Sequence, residues 1–364
     1  MPNTTDTFNI PFLDGTELVR DYPTFSESLA DAVDQGLSDV RGPVSNNAII
    51  NGDFGVWQRG TSFTGLEPYT ADRWRTDFAG APSSLVRSRQ AFTPGEIPGT
   101  SGEFYFRLSV VTAGPDAVFC DTRQRIEDVR TFGSGNKVTI SFYAKADSNR
   151  IVTAALNRNF GSGGSTEEGV IGADFNLSSS WQRFTLTATT PSLSGKTIGS
   201  DSYLDLFFRF ATNVSGATFD LWGVQVEAGP VATPFRLAGG GSKAAELALC
   251  QRYFNRLALG SEGAGNFVLV CHGQAFTTTD SLYVVRLQTN MRTAPSLSVS
   301  SVGHFVTSDA AFSNLTLTAL SISGQSTTNQ VRLDSTVASG LVAGNVTTLF
   351  TNDAAGTLDL SAEL

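Results

Sequence analysis

The stretch from Asn46 to Arg75 carries a dense set of chemically able side chains. It holds Trp57, Tyr69 and Trp74, with Arg59, Arg73 and Arg75 around Asp72. Two chemistries fit these residue types. Aromatic faces stack on the C–H-rich faces of sugars, while Asn, Asp and Arg bind hydroxyls. The other reading is structural: Trp57 and Trp74 fill a core and Asp72 pairs with an arginine. The structural knot is the expected one. A metal reading also exists. Asn51 or Asp53 would meet Asp220 or Glu227 if the first and last strands of one domain are neighbours. Oxygen ligands of that kind suit Ca2+. No cofactor is expected otherwise, and Asp53 and Asp220 are the calcium candidates.

Catalytic patterns are missing. There is no Gly-x-Ser-x-Gly, no P-loop and no HExxH. Glu167 and Glu168 are adjacent carboxylates, but neighbours on an extended strand point to opposite faces. A solvated loop is the expected setting for them. The two histidines, His272 and His304, have no Ser or Asp partner in sequence. Cys120, Cys250 and Cys271 form neither a disulfide framework nor a CxxC zinc motif, so buried reduced thiols are expected. No enzyme is expected.

These residues need elements to hold them. The 364-residue length allows two or three domains of about 150 residues. There are 25 basic and 34 acidic residues, a net charge of −9. That excludes a dedicated phosphate-backbone binder, because no basic surface exists to release counterions. No apolar run is long enough to span a bilayer. The start, Met1-Pro2-Asn3-Thr4-Thr5-Asp6, has no cationic or apolar stretch, so no secretory signal is expected.

Residues 1–43 read as an extended, Pro-punctuated segment followed by a helix. Thr24 and Glu27 fit a capping box. Phe25, Leu29, Ala32, Val33, Leu37 and Val40 recur at steps of three and four, which puts one apolar stripe on the helix. So short a helix is marginal alone, and identical helices of other copies are the expected partners. Residues 44–237 read as strands. Val138, Ile140 and Phe142 alternate with polar residues, and Trp181–Thr187, Tyr203–Phe210 and Thr218–Val226 do the same. Period-two runs between Gly/Ser/Pro loops predict an antiparallel jelly-roll β-sandwich. Residues 238–256 read as a flexible Gly-rich joint and a short linking helix. Ser242 is its N-cap, and Leu247, Cys250 and Phe254 share one side. Residues 257–364 read as a second β-sandwich, nearly free of basic residues after Arg292. The fold class is therefore mainly β.

At these residues a family resemblance enters. The block Asn46-Asn47-Ala48-Ile49-Ile50-Asn51-Gly52-Asp53-Phe54, with Trp57-Gln58-Arg59-Gly60 and Tyr69-Thr70-Ala71-Asp72-Arg73-Trp74, resembles the carbohydrate-binding-module-like β-sandwich of phage tail-fibre and related virion proteins. Phe219 to Phe235 is similar to the last strand of that family, and Glu246 to Phe254 to the helix that follows it. Met291 to Pro295 is similar to a motif of an appended C-terminal β-domain. The first forty residues look like the attachment segment of tail fibres of marine podoviruses, cyanophages among them.

The resemblance implies a structural virion protein made in the host cytoplasm. It implies a homotrimer whose N-terminus attaches to tail adaptor or nozzle proteins, and adhesion to host surface polysaccharide. It identifies no catalytic residue. Phe8, Ile10, Phe12 and Leu13 are the candidate attachment residues. Tyr283 and His304 are the candidate receptor contacts. A structural connector, such as a head fibre or adaptor binding only virion proteins, is the second reading. A glycan depolymerase is the third, and it needs two facing carboxylates in one cleft.

Overall fold

The computed structural model describes residues 47–364 except 66–67, 81–83, 98–101, 115–118 and 310–313. Before them it describes only Asn3–Thr4, Pro11–Phe12 and Leu29. The chain is mainly β, as its sequence predicts.

Strands β1 (Asn3–Thr4) and β2 (Pro11–Phe12) form an antiparallel pair. Phe12 lies in β2, whereas Phe8, Ile10 and Leu13 lie outside the described residues. Of the predicted helix stripe, Leu29 is described as helical; Phe25, Val33, Leu37 and Val40 fall outside.

The next eleven strands are β3 (Ser62–Phe63), β4 (Arg75–Ala79), β5 (Ser84–Ala91), β6 (Phe104–Thr112), β7 (Phe119–Glu127), β8 (Lys137–Ala146), β9 (Arg150–Asn159), β10 (Glu168–Leu177), β11 (Gln182–Thr189), β12 (Tyr203–Ala211) and β13 (Thr218–Ala228). They build two antiparallel sheets. One has the order β10-β9-β12-β7-β4, the other β11-β8-β13-β6-β5-β3. Their inner faces share one core, in which Val138, Ile140, Phe142, Phe208, Phe210 and Phe219 are buried. Burying each such phenylalanine fully contributes about 1.5–3 kcal/mol. The alternation at Val138, Ile140 and Phe142 is thus the phase of the inner face.

The outer face of the six-stranded sheet is not bare. Residues 229–237 fold back over β13 and β8. Thr139 Oγ1 donates to the Gly229 carbonyl at 2.7 Å, and Thr233 Oγ1 donates to Glu227 at 2.8 Å. Phe92, Tyr105, Tyr143, Trp181, Trp222 and Phe235 pack there as a second, smaller aromatic cluster.

Helix α1 (Lys243–Gln251) follows, with Ser242 as N-cap accepting from the Ala245 N–H. The Gly-rich joint expected to be flexible is pinned in this structure. Glu246 is buried and accepts from the backbone N–H of Asn51 and of Gly239. The buried side of the helix is therefore Glu246 and Cys250, while Leu247 is exposed. Phe254 leaves the helix and opens a strand.

The C-terminal region differs from the expected sandwich. Its strands are β14 (Phe254–Leu259), β15 (Leu269–Ala275), β16 (Asp280–Arg286), β17 (Ser296–Val299), β18 (Phe305–Ser308), β19 (Asn314–Ile322), β20 (Gln330–Val337), β21 (Val346–Thr351) and β22 (Thr357–Ser361). Six of them close into an antiparallel barrel, β15-β16-β20-β19-β18-β21, beside a three-stranded sheet β14-β22-β17. Strand β21 pairs with both β15 and β18 and so removes the free edges a sandwich would keep. Period-two patterning is the same for either architecture, so the strands were legible and the closure was not.

Candidate functional site

The Asn46–Arg75 block folds into a buried knot. Asn51, Phe54 and Arg73 take positive φ values of 58°, 55° and 71°. These bends aim Trp74 inward, where its Nε1–H donates to the Asn51 carbonyl at 2.9 Å. The Trp57 Nε1–H donates to the Phe54 carbonyl at 2.7 Å. Trp57 stacks near Phe106 of β6, and Trp74 lies near Phe208 of β12, so the knot ties the two sheets together. Asp72 is buried and accepts from the backbone and side-chain N–H of Gln58, with Arg59 Nη1 at 3.7 Å. Burial pushes its carboxyl up, opposed by Arg59 and those hydrogen bonds. The Trp74 side chain and the Asp72 carboxylate, both fully buried, offer nothing to a sugar, and Trp57 is only 8% exposed.

The knot also receives the C-terminal region. Glu363 accepts from Arg59 Nη2 at 3.1 Å and from Arg73 Nη1. Arg73 lies over the Tyr253 ring at 3.4 Å and Arg59 over the Phe254 ring at 3.5 Å. Arg125 donates to the Leu364 carbonyl at 2.7 Å, and Gln58 donates to that of Phe254 at 2.9 Å. Two of the three arginines flagged by the sequence, Arg59 and Arg73, thus serve as a clamp between two regions, while Arg75 pairs with Asp77 at 2.7 Å within the sandwich.

The candidate site is the outer face of the five-stranded sheet. Strand register sets its rows. Gly172, Ala155, Phe207, Arg123 and Arg75 stand in line across β10, β9, β12, β7 and β4. On one side runs the row Asp174, Thr153, Arg209, Asp121 and Asp77. On the other run Gly169, Asn157, Asp205 and Arg125. Gly172 and Ala155 keep the centre of the face low beside the half-buried Phe207 ring.

Electrostatics organise this face. Arg123 donates to Asp205 at 2.9 Å and to Asp121 at 2.8 Å, with Asp77 at 3.2 Å. Arg209 donates twice to Asp121 at 2.8 Å and lies 3.7 Å over the Phe119 ring. Arg125 lies 4.3 Å over Tyr203. Burial raises the Asp205 carboxyl to about 6, while Arg123 and Arg125 pull it down. Held guanidinium, carboxylate and amide groups beside a ring can hydrogen-bond a polyhydroxyl ligand and stack one of its faces. Sequence reading missed the face because β7 carries Thr122 and Gln124 inward, so its apolar alternation is broken. Its legible signal is the charged spacing Asp121, Arg123, Arg125.

The other sequence candidates separate. Tyr283 is a correction. It is buried inside the barrel with its hydroxyl 2.6 Å from Thr307 Oγ1, so it cannot meet a receptor there. His304 is half-buried at the barrel rim, its Nδ1 3.0 Å from Ser300 Oγ. Glu167 is exposed and accepts from Asn157 and Asn159 at 3.0 and 3.1 Å. Glu168 opens β10 and pairs with Lys196 and Arg158 rather than lying in a loop.

The first and last segments of the sandwich are neighbours: Val224 donates to the Gly52 carbonyl at 2.9 Å. Their carboxylates are not brought together. Asp220 is paired with Arg107 at 2.6 Å and near Lys145, while Asp53 borders a small cavity of about 60 Å³ with Glu103, Lys243 and Glu246. Among the described residues no group of three or more His, Cys, Asp or Glu is placed to hold a metal ion. Among them, too, no helix is long and apolar enough to cross a membrane.

No protein-family model and no curated protein matches the chain. Solved structures resemble about half of it. A carbohydrate-binding module described as CBM4 is 20% identical over 49% of this chain and 98% of its own, with a TM-score of 0.29. The enzymatically active domain of bacteriophage CBA120 tailspike protein 4 is 15% identical over 50% of this chain and 22% of its own, with a TM-score of 0.33. The N-terminal cellulose-binding domain of Cellulomonas fimi β-1,4-glucanase C is 15% identical over 48% of this chain and 97% of its own, with a TM-score of 0.30.

Proposed function

We propose that the chain is a phage tail-fibre protein that binds host surface polysaccharide through the outer face of its five-stranded sheet. The single observation behind the glycan reading is the central row of that face. A half-buried Phe207 ring lies level with Gly172 and Ala155, between rows of hydrogen-bonding side chains. The mixed signs there, Arg123 and Arg209 against Asp121 and Asp205, favour a neutral sugar over a polyanion. The reading assigns glycan contact to the sandwich instead of the C-terminal module, because Tyr283 is internal. It assigns no reaction to the chain. Residues 1–43 attach to tail adaptor or nozzle proteins, and the Phe25–Val40 stripe registers three copies. Several weak sites on one fibre then add avidity.

The test is binding of the full chain and of Phe207→Ala to a panel of purified host polysaccharides. The full chain is expected to bind a neutral polysaccharide, and Phe207→Ala to weaken binding about tenfold, since one stacking contact contributes about 1–1.5 kcal/mol. Equal binding by both proteins removes this face from the reading. If the full chain binds no polysaccharide but captures tail or head proteins, the connector reading replaces it.

A further inference from the structure

Two sheets end against one cleft. Strand β3 is the last of the six-stranded sheet, and β14 is the last of the three-stranded sheet. Between Gly60 and Thr61, which lead into β3, and Arg256 to Leu259 of β14 lies a cleft of about 430 Å³, the size of a ligand pocket. Leu257, Leu259 and Val268 line it with apolar groups, and Glu262 stands exposed beside them. The Gln58 side chain already treats β14 as an open edge. Its Nε2 donates to the Phe254 carbonyl at 2.9 Å, and its Oε1 accepts from the Arg256 N–H at 3.5 Å. One carboxamide thus serves the C=O of one residue and the N–H of the next but one, as the backbone of a neighbouring strand does. Beyond it the edge is unfilled. Gly260 donates to the Gly356 carbonyl just before β22, so alternation turns the Leu259 N–H and C=O outward. Among the described residues no hydrogen bond from outside the β14–β22 pair reaches Leu257, Ala258 or Leu259.

We propose that this cleft takes an extended peptide segment of a partner protein, which adds a strand to the open edge of β14. The unfilled groups are main-chain N–H and C=O on a strand edge, and a peptide backbone repeats their spacing. Leu257 is the extra residue of a bulge, and with Leu259 and Val268 it gives alternate side chains of such a segment an apolar surface. Trp57 is buried, so the cleft has no open aromatic face for a sugar ring. The charge of the segment follows from the lining. Arg256 is neutralised by Asp359 at 2.7 Å, whereas Glu262 pairs with no cation among the described residues. The chain has a net charge of −9, so the segment that fits carries Lys or Arg opposite Glu262. The inference depends on neither the glycan face nor an assembly of copies.

The test is selection of heptapeptides from a displayed random library on the full chain. The enriched peptide is then made synthetically, and its affinity is measured for wild type and two variants. Thr61→Trp fills the cleft from an exposed position, and Glu262→Lys reverses its unpaired charge; a thermal melt confirms that both fold. The enriched sequences are expected to alternate apolar residues and to hold Lys or Arg at one fixed place. Thr61→Trp is expected to weaken binding by about tenfold or more. N-methylation of alternate peptide nitrogens, made in both phases, is expected to weaken it by about tenfold in one phase only, where the edge hydrogen bonds are lost. Glu262→Lys is expected to prefer the same peptide with Glu at the fixed place by about threefold. The inference is overturned if no peptide is enriched, or if the enriched peptide binds Thr61→Trp like wild type. Equal binding of the N-methylated peptides overturns the added strand, and an unchanged preference in Glu262→Lys overturns the basic residue. Displacement of the peptide by cellohexaose makes the cleft a sugar site instead.

Discussion

Arg73 and Glu363 stand 290 residues apart in sequence and form one ion pair in the seam between the sandwich and the C-terminal region. Arg73 is 2% exposed, and the Tyr253 ring lies against its other face. The pair is desolvated, so its parts cannot be judged as a surface salt bridge would be.

Replacing Glu363 by Gln leaves Arg59 and Arg73 facing a neutral amide in that seam. Removing one partner of a buried pair costs about 3–5 kcal/mol. The expected outcome is a lower melting temperature, with proteolysis beginning in the Gly239–Ser242 joint once the clamp loosens. A melt and digestion pattern like wild type would show that the apolar contacts of Tyr253 and Phe254 hold the seam without the charges.

How much of this was legible in the sequence depends on which signal each part sends. Strands β8, β11, β12 and β13 were legible because one face of each alternates. Tyr283 was misplaced because Leu282, Tyr283, Val284 and Val285 are apolar on both phases, so period two cannot say which side is inward. The Asp72 knot was legible in its residue types. Its role as receiver of Glu363 was not, because nothing local to either segment encodes a contact across that separation. The buried Glu246 was hidden likewise: its partners are backbone N–H groups of Asn51 and Gly239, which every residue but proline offers.

Gly52 has a steric rather than a conformational duty. A Cβ at this position would lie 2.2 Å from the Val224 carbonyl oxygen, inside the pairing of the first segment with β13. The obstacle is backbone, so a side-chain shift cannot relieve it. Gly52→Ala is expected to destabilise the sandwich by at least about 2 kcal/mol, read as a fall in the denaturation midpoint. An unchanged midpoint would mean that the two segments part easily there.

The three cysteines are free and buried, and burial pushes each thiol up, that of Cys271 to about 12. Thiolate is the reactive form, so native protein at pH 8 is expected to take up almost no thiol reagent. All three thiols become reactive in denaturant. Rapid labelling of one native thiol would identify a region that opens, with the labelled residue read by mass spectrometry.

Asp205 ties the candidate face to pH. Its carboxyl is raised by burial to about 6, against 3.8 for an ordinary aspartate. Between these values the unfolded chain is ionised there while the folded chain holds the proton. The folded state then binds more protons, so this group's contribution to stability falls as pH rises from about 4 to about 6. Above that range the ionised, buried carboxylate is a cost that Arg123 only partly offsets. Asp205→Asn removes the titration and keeps an oxygen for Arg123 to bond. The variant is therefore expected to gain on wild type by roughly 1–3 kcal/mol between pH 4 and pH 7, most of it below pH 6. Other groups titrate equally in both proteins, so the difference between their denaturation midpoints isolates Asp205. A difference that stays flat with pH would show that Arg123 and Arg125 fully offset its burial and that the carboxylate is ionised throughout.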